Sequence, residues 1–151
     1  METKTYSIDI LAPARVVWHR MLDDVPYRAW TGEFQPGSHY VGNWELGSDI
    51  RFLGPDQDGD EGGLLGRIVE SVPYERVSIE YRGLVARGQD DTTSDLALEL
   101  AGTRETYTFA ESDGATTLIV RAELLDDWAA DMDAAWPKAL ATLKSLAERE
   151  G

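Results

Sequence analysis

The chain has 151 residues, 42% of them apolar, and no cysteine, which suits one domain with a packed core and excludes a disordered chain, a disulfide scaffold and thiolate chemistry. Its 28 acidic residues against 14 basic ones give a net charge of −14, a field that repels phosphate backbones and anionic lipid heads, so neither nucleic acid nor a membrane is an expected partner. No apolar run is long enough to span a bilayer and Met1–Ile10 lacks the basic start and apolar core of a signal peptide, so the cytoplasm is the expected compartment.

Lys4–Leu11 alternates as a strand, with Tyr6, Ile8 and Ile10 on one face. Ala12-Pro13 then opens a helix, because proline fits the first helical position, where its missing N–H is no loss. Ala14, Val17, Trp18, Met21 and Leu22 form the buried stripe of that helix, and Asp23-Asp24 with Pro26 end it. A short second helical turn is expected around Tyr27–Trp30, followed by loop over Thr31–Gly37.

From His39 onward the pattern changes to strands: His39–Glu45, Ser48–Leu53, Leu64–Ser71, Arg76–Leu84, Thr103–Ala110 and Thr116–Glu123. Leu46-Gly47, the Gly54–Gly63 run, Val72-Pro73 and Ser112-Asp113-Gly114 carry the turn chemistry between them. Gly88–Asp95 is polar and acidic and reads as a mobile loop, with a helical turn near Leu96–Leu100. Asp126–Gly151 closes the chain as a long amphipathic helix, with Trp128, Met132, Ala135, Trp136, Ala139, Leu140, Leu143, Leu146 and Ala147 on one arc. Pro137 lies on its polar side, where loss of the bond to the Asp133 carbonyl predicts a kink. The expected architecture is therefore α+β, a seven-stranded curved antiparallel sheet around the last helix, with two short helices between the first two strands. Residues 1–151 read as a single domain.

Alternation assigns the sheet faces. Ile50 and Phe52 point toward the helix, as do Val77, Ile79 and Tyr81, and Leu118, Val120 and Ala122. Arg51, Ser78, Glu80 and Arg82 point to solvent. Tyr107 and Phe109 point inward, and the same parity carries Glu105 inward with them. A carboxylate on an apolar face is costly unless paired, hydrogen-bonded or protonated. Either it reaches water or an arginine at the open end of the sheet, or it anchors a ligand, or it is a general acid/base with raised pKa. Tyr81 and Tyr107 share its face and read either as orienting groups for a polar ligand atom or as core tyrosines reaching solvent.

Other constellations fail on spacing. Asp56, Asp58 and Asp60 alternate as in a calcium loop, but the sixth position is Glu61 rather than glycine and the twelfth is Arg67 rather than glutamate, so this is a hairpin loop. His19 and His39 lack the spacing of a zinc pair, and Gly59, Gly62 and Gly63 lie in a hairpin rather than at a strand-to-helix turn. No metal or cofactor motif results.

The segments "IDILAPARVVWHRMLDDVPYRAW", "PGSHYVGNWELGSDIRF", "GLLGRIVESVPYERVSIEY" and "ETYTFAESDGATTLIV", with the closing tryptophan-bearing helix, resemble the SRPBCC superfamily of START and Bet v-type helix-grip proteins. Within it the chain most resembles the branch homologous to the heat-shock chaperone ATPase activator. The resemblance covers essentially the whole chain, though no single motif in it is catalytic. It implies a deep apolar pocket between the sheet and the last helix, with Trp30, Phe34 and Trp44 at one wall of its mouth. Members bind hydrophobic small molecules, and a minority catalyse cyclisation or dehydration.

Together these readings make Trp30, Phe34, Trp44, Phe52, Tyr81, Glu105, Tyr107, Trp128, Met132 and Trp136 the candidate ligand-binding set, with Glu105 the candidate catalytic group. The expected function is binding of a hydrophobic or amphipathic small molecule. The alternatives are a cyclase or dehydratase acting on a polyketide-like substrate and an interaction module for a chaperone ATPase. A homodimer through an edge strand or a helix face is compatible with this pattern.

Overall fold

The computed structural model describes residues 1–149. Strand β1 (Glu2–Ile10) leads into helices α1 (Ala14–Leu22) and α2 (Asp24–Thr31), which are separated only by Asp23 in an extended conformation. Pro26 was expected to help end α1; instead it lies in the first turn of α2, where a backbone N–H has no helical partner to lose. The second helix is accordingly longer than the expected turn.

Strands β2 (His39–Gly42), β3 (Asp49–Pro55), β4 (Glu61–Val72) and β5 (Arg76–Ala86) follow as a meander. β2 ends three residues earlier than expected because the chain turns at Asn43, whose side chain accepts from the Glu45 N–H, and this swings Trp44 inward. The Asp56 carboxylate accepts from the N–H groups of Asp58 and Asp60 at 2.9 Å each, so the acidic run between β3 and β4 builds its own turn.

Gly88–Asp95 is not a structureless loop. Arg87 and Gly88, with φ of 53° and 75°, form a two-residue primed turn that folds β6 (Gln89–Asp91) back onto β5. The sheet thus has eight strands rather than seven, in the order β1-β8-β7-β5-β4-β3-β2, with β6 pairing the end of β5 beyond the reach of β7. Helix α3 (Asp95–Leu100) follows, its first turn capped by the Ser94 hydroxyl accepting from the Ala97 N–H. β7 (Arg104–Ser112) and β8 (Ala115–Leu124) complete the sheet. A single 3₁₀ turn (Asp126–Trp128) then leads into the long helix α4 (Ala129–Glu148).

The inward faces match the alternation: Ile50, Val77, Ile79, Leu118, Val120 and Ala122 are all buried in the core with Trp136, Leu140 and Leu143 of α4. Ser78 departs from it. It is on the outer face yet buried, because its hydroxyl is held between Thr106 at 2.9 Å and Glu70 at 3.1 Å on the flanking strands. α4 runs unbroken through Pro137, which is exposed.

The β4 strand bends at two register shifts, between Leu65 and Gly66 and between Ile68 and Glu70, and such bulges add the curvature that holds a sheet off the helix facing it. Just before them stands Gly63, with φ of 151°, where a Cβ would lie 1.8 Å from the Phe52 carbonyl oxygen. Only glycine allows β3 and β4 to approach this closely. Gly63→Ala should therefore destabilise the fold by about 3 kcal/mol, measured by urea unfolding. A loss below about 1 kcal/mol would mean that the backbone relaxes there at little cost.

Candidate functional site

A cavity of about 660 Å³ opens between the sheet and α4, within the usual range for small-molecule sites. Six aromatic rings that line it form a nearly closed circuit. Ring centroids are 6.1 Å apart for Tyr81 and Phe52, 6.4 Å for Phe52 and Tyr27, and 5.3 Å for Tyr27 and Trp30. The circuit continues at 5.8 Å from Trp30 to Trp136 and 6.2 Å from Trp136 to Tyr107.

Glu105 closes the gap between its two ends. The Tyr107 hydroxyl donates to Glu105 Oε2 at 2.5 Å and the Tyr81 hydroxyl donates to the same oxygen at 3.2 Å. The backbone explains this convergence. Glu105 and Tyr107 are two apart on β7 and so share a face. Tyr81 joins them because the Tyr81 N–H bonds the Thr103 carbonyl at 2.8 Å, tying β5 to the start of β7. Glu105 pairs with Ile79 on one side and Ala122 on the other, so it enters an apolar stretch of the sheet.

Of the alternatives open to Glu105, contact with an arginine is not seen among the described residues. Its sequence neighbour Arg104 points to the opposite face and binds Glu80 at 3.0 Å. Among the described residues no basic side chain pairs with Glu105. Its remaining exposure opens into the cavity. Burial raises the pKa of Glu105 above the ordinary glutamate range, and the two phenol bonds only partly offset this. Burial, reinforced by the nearby carboxylate, drives Tyr81 and Tyr107 well above the ordinary phenol value, so both hydroxyls keep their protons. Tyr27 is raised for the same reasons, and its hydroxyl has no hydrogen-bond partner among the described residues.

Of the ten candidates named from sequence, Trp30, Phe34, Phe52, Tyr81, Glu105, Tyr107, Met132 and Trp136 line this cavity. Trp44 does not. It stands behind the wall, with rings at 5.7 Å to Phe52 and 6.4 Å to Tyr107, and its indole N–H donates to the Leu22 carbonyl at 3.1 Å. Trp128 lies elsewhere, beside a small pocket that includes Met1, Leu96 and Glu99. The 3₁₀ turn holding it has three residues per turn, so a helical wheel at 3.6 residues carried through it misplaces the side chain.

Sequence reasoning missed Tyr27 and the polar lip formed by Gln35, Ser38, His39, Asp56 and Arg87. Tyr27 was detectable, because it is three residues from Trp30 on one helix face. The lip was not, since it assembles from four separate turns and strand ends. Trp136 Nε1 is buried with no hydrogen-bond partner among the described residues, and its ring lies against those of Tyr6, Trp30, Phe34 and Tyr107.

A carboxyl group with a raised pKa in the folded state binds its proton more tightly there than in the unfolded chain. The stability it contributes is complete below the unfolded value and is lost as pH rises through the folded one. Glu105→Gln should therefore match the parent near pH 4 and exceed it in urea-unfolding free energy near pH 8, a difference that grows with pH above about 4.3. A difference independent of pH would show that Glu105 titrates as it does in the unfolded chain.

The crystal structure of protein MLL2253 from Mesorhizobium loti is similar with a TM-score of 0.74 at 12% identity, over 99% of each chain. Protein CV1439 from Chromobacterium violaceum gives 0.67 at 23% identity over 97% of this chain and 96% of that one. The Aha1 dimer from Colwellia psychrerythraea gives 0.71 at 16% identity over 98% and 97%. At these identities the likeness is one of fold, and it agrees with the helix-grip architecture expected from sequence. No curated protein matches the chain. Residues 11–148 match the family described as "Activator of Hsp90 ATPase homolog 1-like protein", and the chain belongs to that family.

Proposed function

We propose that the protein binds an amphipathic small molecule in the cavity between the sheet and α4. The observation that carries this reading is a cavity of about 660 Å³ walled by aromatic rings, with the Glu105 carboxylate held among them by two phenols. A site of this kind takes up the apolar body of a ligand by burial of its surface and orients it through a few polar groups. Here the Glu105, Tyr81 and Tyr107 cluster fixes the polar end, and Met132 and Trp136 of α4 cover the ligand.

One observation favours a second reading. A glutamate whose proton is held more tightly by burial, beside two protonated phenols, is equipped for acid–base work on a cyclisation or dehydration substrate of polyketide type. In that case Glu105→Gln abolishes turnover while leaving uptake of the substrate intact. The chaperone reading rests on the family description alone and is tested by ATPase stimulation. The Colwellia relative was solved as a dimer, and the free sheet edges β1 and β2 are where a second copy of this chain would pair.

The binding reading is tested with a neutral apolar fluorophore, N-phenyl-1-naphthylamine. Leu64 lines the cavity, and Leu64→Trp should fill it and weaken probe binding at least about tenfold, a change of about 1.4 kcal/mol. The melting temperature should stay within a few degrees of the parent. Equal probe binding by the parent and a folded Leu64→Trp variant would sink the proposal.

A further inference from the structure

The chemistry of the cavity says more about the ligand than that it is greasy at one end. Glu105 Oε2 already accepts from both Tyr81 and Tyr107, so the two phenols have spent their protons on the protein. With Glu105 ionised, what this wall still offers is acceptor capacity: the second carboxylate oxygen and the lone pairs of two phenols. The Tyr27 hydroxyl can serve either as donor or as acceptor. The indole N–H of Trp136 is shut away among rings rather than open to the cavity. A ligand ending in a carbonyl or an anion would therefore face acceptors with acceptors at the cluster of Glu105, Tyr81 and Tyr107.

A neutral donor would satisfy a lone pair but leave the carboxylate without a counter-charge. Buried carboxylates are normally paired, and Glu105 has no cation among the described residues. Arg87 is at the lip, but it is exposed in the turn between β5 and β6. Around the carboxylate runs the circuit of six rings, whose π faces carry the negative side of the aromatic quadrupole. Rings and carboxylate favour the same sign of charge. The net charge of −14 adds a long-range field that draws cations and repels anions.

Resting on the binding reading above, we infer that the ligand carries an organic cation, a protonated or quaternary amine on an apolar body, seated inside the aromatic circuit against Glu105. The ammonium supplies the missing counter-charge, and the rings replace part of its hydration shell. This would make the protein selective among amphiphiles by the sign of their head group, with shape a secondary filter.

The test uses the full chain and three probes on one scaffold: 2-naphthylmethyl-trimethylammonium, its neutral carbon isostere 2-neopentylnaphthalene, and 2-naphthylmethanesulfonate. Binding is read by tryptophan fluorescence and by displacement of N-phenyl-1-naphthylamine at fixed ionic strength. The cation should bind at least about tenfold more tightly than its neutral isostere, and the sulfonate more weakly than either. Glu105→Gln should lower the cation-to-neutral ratio severalfold, leaving only the share that the rings supply. Phe52→Leu, which keeps apolar bulk but removes a π face, should lower the same ratio severalfold, so the inference does not depend on one variant folding. Equal affinity for cation and isostere in the parent, or a ratio that survives both substitutions, overturns the inference while leaving cavity binding in place. If none of the probes binds or displaces the fluorophore, the binding reading falls with it.

Discussion

A half-buried carboxylate held by two tyrosines is the constraint around which the interior is arranged. Glu105 cannot be covered by aliphatic packing without losing solvation, and its hydrogen bonds to Tyr81 and Tyr107 satisfy only one of its oxygens. An interior of the usual close-packed kind would have to bury the other oxygen unpaired. The cavity resolves this conflict by keeping that oxygen beside open space. The space is thus part of how the polar group is accommodated, and not a packing defect beside it.

The backbone sets the space aside through a few local departures from regularity. The bulges on β4 and the close crossing of Gly63 over the Phe52 carbonyl curve the sheet away from α4. At Gly66 an added Cβ would come within 2.9 Å of Ile79 and 3.3 Å of the Phe52 ring, so the missing side chain leaves room for both. α4 is fastened at its C-terminal half by Leu140 and Leu143, both buried. Its N-terminal half is fastened by aromatic stacking instead, with Trp136 5.9 Å from Tyr6 and 5.8 Å from Trp30. The two halves thus differ in packing partners along one unbroken helix.

Membership of the family fixes the fold class but leaves the chemistry of the interior to this chain's own residues, because a shared fold does not determine what a site does. The cavity walls belong to residues that strand parity places together, and the lip belongs to loops. The glutamate, the phenols and the rings are all held by regular elements, which keeps their geometry rigid. The lip residues Gln35, Ser38, His39, Asp56 and Arg87 are placed by turns, where change is tolerated most easily.

Much of this was legible in the chain. Period-two alternation put Glu105, Tyr107, Tyr81 and Phe52 on the inner face, and the apolar arc of the last helix put Trp136 and Met132 opposite them, because side-chain direction follows directly from backbone period. The same local rules failed where a contact distant in sequence decides the outcome. Gln89–Asp91 looks like a polar loop and becomes a strand because β7 leaves an edge of β5 unpaired. Trp128 sits on the predicted arc but is carried off it by a tighter turn, and Trp44 supports the wall from behind because Leu22 offers its carbonyl there. Strand parity alone sends a carboxylate onto an apolar face. That its partners are two phenols and, among the described residues, no cation emerges only on folding, since it depends on which side chains β5 and β7 bring within hydrogen-bonding distance.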